Sequence, residues 1–183
     1  MSIAAWLRAQ GAAHDVVAWA ESFGDDAESF WDACPRGDWL LAIAARAGVG
    51  AALVARAAAE VAVLARDLLP DDDTLAREVL DALLRRARGE GSGPDDAALR
   101  ALEASVDHAP DPVVQLARSA IVVAAGSAQR PEDASVVAGM LAQAAALDAA
   151  DCGMHAAVSY AQRKSAAIVR AIVPRPRLDG TPS

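Results

Sequence analysis

The stretch Trp31-Asp-Ala-Cys-Pro-Arg-Gly-Asp-Trp39 decides how this chain folds. Pro35 has no backbone N–H and biases Cys34 away from helical geometry, so a helix carrying Phe30 and Trp31 must end there. Arg36 and Gly37 make the turn. Asp38 is placed as an N-cap, its carboxylate accepting from the free amides of a helix that runs from Trp39 and stops at Gly48. Two tryptophans around so tight a corner predict that the N-terminal packing is built on it, with an Arg36–Asp38 contact beside the cap.

Helices extend outward in both directions. Upstream, Ser2 to Gln10 forms a first helix ended by Gly11, and residues 13–23 a second closed by Gly24. Asp25 and Glu28 have capping-box spacing and open the third. Downstream, a helix over about 50–69 places Leu53, Ala57, Val61, Leu64 and Leu68 on one stripe, with Arg56 and Glu60 as an i,i+4 pair. Pro70 and Asp71, Asp72 and Asp73 interrupt it. The next helix, about 74–88, buries Leu75, Val79, Leu83 and Ala87 and carries an outer ladder of Arg77, Asp81 and Arg85. Gly89-Glu-Gly-Ser-Gly93 is a loop. Pro94, Pro112 and Pro131 each open a later helix at its first position. The helix from Pro112 to Ala125 is almost wholly apolar and is expected to be the most buried. Residues 132–150 bury Val136, Val137, Met140, Leu141 and Leu147, and residues 154–173 show Met154, Val158, Ala161, Ser165, Ile168 and Ile172 on one face. Pro174 ends regular structure, leaving 175–183 as a flexible tail.

The expected fold is therefore all-α. It is a single domain over residues 1–174 with about nine to ten antiparallel helices, as an irregular bundle or a stack of helical hairpins. Residues 1–48 are Trp-rich, whereas 49–88 and 94–174 are Ala-rich. Hydrophobic residues make up 54% of the chain but aromatics only 4%, so alanine supplies most of the apolar surface and helices can approach closely. β-branched runs with period-two alternation are missing, which argues against sheet.

A net charge of −8 argues against nucleic acid and against an anionic membrane, and is compatible with a basic protein partner. Lys164 is the sole lysine, which reads as coding bias. Two cysteines make no disulfide framework. No signal peptide and no apolar run of membrane-spanning length is evident, so a cytoplasmic location is expected.

Candidate sites are few. Asp148, Cys152 and His155 are spaced for one helical face and would need another ligand to hold a metal, but Gly153 favours a helix junction there. Cys34 with His14 is a conceivable nucleophile and base, although a cysteine before proline at a helix end reads more simply as a small buried residue. One aspartate of Asp71, Asp72 and Asp73 suffices to cap a helix, and the others are candidates for contact with a basic partner. No phosphate loop, catalytic serine motif or calcium loop is present, and no cofactor is expected.

Trp19-Ala20, the corner Trp31 to Leu41 and Arg46-Ala-Gly-Val49 together resemble the start of a group of Ala-rich, all-helical bacterial proteins. These are assigned as immunity proteins of polymorphic-toxin systems. Gln162-Arg-Lys-Ser-Ala-Ala-Ile-Val-Arg-Ala-Ile-Val-Pro174 resembles the group's final helix. The resemblance carries over no catalytic residue. It implies a non-enzymatic protein that binds a cognate toxin domain and occludes its active site. From the residues themselves, Trp31, Cys34, Arg36, Asp38 and Trp39 are expected to serve structure, and Asp71, Asp72 and Asp73 are the candidates for contact with a partner. The alternative is a helical scaffold or oligomerisation module without a toxin partner; a metal protein or enzyme ranks last.

Overall fold

A helix with almost no polar face has to sit in the middle. Between Ala134 and Asp148 only Ser135, Gln143 and Asp148 are polar, and in the computed structural model this helix is the hub. The structure describes residues 1–150 and 153–178. Among them are ten α-helices and no strand: α1 (Ile3–Ala9), α2 (His14–Ala20), α3 (Ala27–Ala33), α4 (Gly37–Arg46), α5 (Ala51–Val61), α6 (Thr74–Ala87), α7 (Asp96–Ser105), α8 (Pro112–Gly126), α9 (Ala134–Asp148) and α10 (Met154–Ile172). Helix α9 packs against α4, α5, α8 and α10, so the all-α chain is an irregular bundle around one helix and not a linear stack. Buried residues from Ile3 to Leu178 form a single cluster.

Local chemistry sets most helix starts. Side-chain oxygens of Ser2, Asp26, Asp73, Asp95 and Asp111 each accept from a first-turn amide of the helix that follows. At Asp26 the Ser29 amide holds the carboxyl below its usual range. The cap of α3 thus lies one residue later than the Asp25–Glu28 box implied. Gly48 closes α4 with a left-handed φ of 77°, as a stop glycine should.

Several expectations shift. Asp38 is not a cap: Arg36 occupies the N-cap position of α4 without a capping side chain, and Asp38 lies in the first turn. Pro94 precedes α7, whose cap is Asp95. The helix over 50–69 is α-helical only to Val61 and tightens to a 3-10 segment over Ala62–Leu68. Its buried face is Val54, Ala57, Ala58, Val61 and Ala65, rotated from the expected stripe, so Leu53 is exposed. Val136, Leu147 and Met154 are also exposed, because α9 and α10 turn alanines toward their neighbours instead. Glu60 binds Arg88 of the next hairpin (2.8 and 3.0 Å), not Arg56. The ladder on α6 is likewise absent: Arg77 binds Asp71 (3.1 Å) and Asp81 binds Arg66.

The end of the chain is docked as far as it is described. Arg175 binds Glu28 (2.9 Å) and Asp32 (3.4 Å), and Pro176 and Leu178 are buried. The tail expected from residue 175 therefore belongs to the packed body up to Leu178; residues 179–183 lie outside the described residues.

Candidate functional site

The corner at residues 31–39 is where the two ends of the sequence meet. Pro35 ends α3 at Ala33, leaving the Cys34 and Trp31 carbonyls without helical partners. Arg170 of α10 fills that need, its guanidinium donating to the Cys34 carbonyl (2.6 Å) and reaching the Trp31 carbonyl (3.5 Å). The Gly37 amide donates to Oε1 of the buried Gln162 (3.1 Å). Only glycine fits at 37. A Cβ there would press into Ser165 and lie 2.8 Å from the Ser165 carbonyl carbon and 2.9 Å from the Ala166 nitrogen. These contacts join residues 125–139 positions apart in sequence.

Cys34 is sealed in this seam, with no exposed surface. Its thiol donates to the Arg36 carbonyl (3.6 Å), and burial pushes its pKa from an ordinary 9.0 to about 11. A thiol held neutral and inaccessible is not an activated nucleophile. His14 sits exposed at the start of α2.

On the outer side of the same corner a different chemistry is displayed. Arg36 clasps Asp38 with two hydrogen bonds (3.1 and 2.5 Å), binds Asp15 (3.1 Å), and lays its guanidinium over the Trp39 ring at 4.4 Å from the centroid. The Asp38 carboxylate, with its hydrogen bonds foremost, holds the guanidinium more firmly protonated. Trp31 is buried but Trp39 is only partly so, and its outer face borders a groove of about 350 Å³. Arg46, Ala42 and the exposed Val136 line the same groove, and nothing lies within 4 Å of where a Gly139 side chain would begin.

The aspartate triplet divides. Asp73 is buried, caps α6 through the Ala76 amide (3.2 Å) and binds Arg118 (2.9 Å), which also donates to the Ser105 carbonyl (3.0 Å). It ties α6 to α7 and α8. Asp71 and Asp72 are exposed, with Asp71 touching Arg77. The partner role expected of three residues therefore has two accessible carriers.

Asp148 ends α9 and His155 is the second residue of α10, so they do not share one unbroken helix. Cys152 lies outside the described residues, and with it that constellation. Among the described residues, no three His, Cys, Asp or Glu side chains are gathered as a metal site. No helix among them is long and apolar enough to cross a membrane.

The Arg36–Trp39 stack was missed as a surface feature because sequence shows an arginine three residues before a tryptophan without showing which face is covered. Arg36 at the cap and Trp39 in the first turn, with an acidic residue between, was the available signal. No protein-family model, no curated protein and no solved structure matches the chain, so its own residues carry the functional reading.

Proposed function

We propose that the chain is a non-catalytic protein-binding module of the immunity type, which docks on a cognate toxin domain and covers that domain's active site. The observation that carries this reading is the Arg36–Trp39 stack on the rim of an open groove. Tryptophan and arginine are the side chains most often found at interface hot spots, and Asp15 and Asp38 hold the guanidinium in place before any partner arrives. Immobilisation in the free protein lowers the ordering cost of association. The exposed Asp71 and Asp72 and the net charge of −8 favour a basic partner by steering its approach.

Binding to the toxin domain encoded beside the gene, measured by calorimetry, tests the reading. Trp39→Ala is expected to weaken the complex by about 2 kcal/mol or more. Asp71→Asn with Asp72→Asn should slow association and flatten its salt dependence, while the melting temperature stays put because both carboxylates are exposed. Failure of the unaltered protein to bind that domain overturns the proposal. Self-association is the second reading, favoured by Leu147, Met154 and Tyr160 standing exposed on α9 and α10. A concentration-independent monomer in sedimentation removes it.

A further inference from the structure

A second groove, of about 490 Å³, opens between α5, the C-terminal end of α6 and the C-terminal end of α8. Its floor is Ala59, Leu83, Ala124 and Ala125, all buried or nearly so. Leu53, a large hydrophobic side chain that the core does not take up, stands exposed on its edge. Three arginines ring it: Arg56, Arg86 and Arg88.

Those arginines are not equivalent. Arg88 is neutralised by its two hydrogen bonds to Glu60 and forms a wall. Arg56 and Arg86 have no carboxylate within 4.0 Å among the described residues, in a chain where acidic groups outnumber basic ones 25 to 17. Arg86 is also flanked by the loop after α6: a Cβ on Gly93 would lie 2.6 Å from the Arg86 Cδ, so glycine there lets the loop lie against the side chain. Ala52, on the same rim, belongs to the first turn of α5, which has neither a capping side chain nor an acidic residue. The positive end of that helix is set against the negative C-terminal ends of α6 and α8 at the same groove, so the two guanidinium charges decide the sign of the site.

We infer that this groove is a docking site for an acidic amphipathic helix of a protein partner, its apolar ridge on the alanine floor and its carboxylates on Arg56 and Arg86. Charge complementarity selects the sign of the occupant. The exposed rim selects its size, since a site that encloses a small molecule buries most of that molecule, whereas an open apolar groove between helices receives a helical ridge. The groove is lined by residues different from those around Trp39, and the inference stands independently of the role proposed above.

The test uses the full chain and a fluorescent synthetic helix of about five turns, with leucine and alanine on one face and glutamate on the other. A counterpart carrying lysine in place of glutamate is the control. Anisotropy titration is expected to show binding of the glutamate helix alone, weakening about tenfold or more as salt rises from about 50 to about 500 mM. Arg56→Gln with Arg86→Gln should weaken it by about tenfold or more, and Arg100→Gln, outside the groove, should not. Ala52→Glu separates docking from folding, because an acidic residue in a first helical turn maintains or raises the melting temperature while repelling the acidic helix. Equal binding of the two synthetic helices, no binding of either, or full binding by the Arg56/Arg86 double variant overturns the inference.

Discussion

The aromatic corner and the late bundle hold themselves together with opposite materials. Around α2 to α4, rings meet rings: Trp19 lies 4.6 Å from Phe23, 5.0 Å from Phe30 and 5.8 Å from Trp39, centroid to centroid. In α8 to α10 most buried side chains are alanine, valine or serine, among them Ala117, Ala120, Ala138, Ala144, Ser165 and Ala166. Large rings fill space with volume, so deletion harms them. Small side chains hold by proximity, so addition harms them. The seam at Gly37 is where the first region is fastened onto the second.

Deleting volume in the corner is expected to have the largest effect. Phe30 has no exposed surface and touches Trp19 and Phe23, so Phe30→Ala should cost about 3–5 kcal/mol in urea unfolding. A loss below about 1 kcal/mol would show that the rings are not a packed unit. Adding volume at the seam comes next. Gly37→Ala gains one methyl group yet meets backbone atoms of Ser165 and Ala166 that cannot rotate away, and a loss of about 3 kcal/mol is expected. A neutral result would mean that α4 and α10 are not in close contact, and the contrast between the regions would fall with it.

The smallest of the three effects depends on pH. In the unfolded chain Cys34 loses its proton near pH 9, whereas in the folded protein it holds it to about 11. The native state binds more protons across that window, so stability falls as pH rises through it. The contribution is on the order of 2 kcal/mol by pH 11. Melting curves between pH 8 and about 11 should show a steeper decline for the protein with Cys34 than for Cys34→Ala. Parallel slopes would place the thiol in contact with water.

The same contrast explains what could be read in advance. Stops and starts governed by neighbours in sequence were legible: Pro35 ending a helix, Gly48 closing one, Asp111 and Pro112 opening another. So was the concentration of large rings before residue 40. Helix faces were not. In an Ala-rich helix nearly every side is apolar enough to be buried, so Leu53 and Val54 offered equal claims and only the placement of the helices packed on α5 decided for Val54. Charge partners are hidden from the sequence for a related reason. Glu60 had Arg56 one turn away, but its arginine came from Arg88, 28 residues along, because α5 and α6 pack together. Arg36 and Asp38 were correctly paired, being local, although the cap assigned to Asp38 was not. Of the surface candidates, the accessibility of Asp71 and Asp72 could not be told from that of Asp73, whose burial depends on Arg118 forty-five residues downstream.

The seam between Gly37 and Gln162 also has a consequence for synthesis. During translation the corner emerges long before the helix that supplies Gln162, Ser165 and Arg170. Until then the Gly37 amide and the Cys34 carbonyl have only water to bond, and the face of α4 that α10 covers stands open. A chain lacking α10 would keep that face open and present it to proteases. Helix α10 is thus expected to shield groups 125 positions before it, which limited proteolysis of a chain cut before Met154 would read.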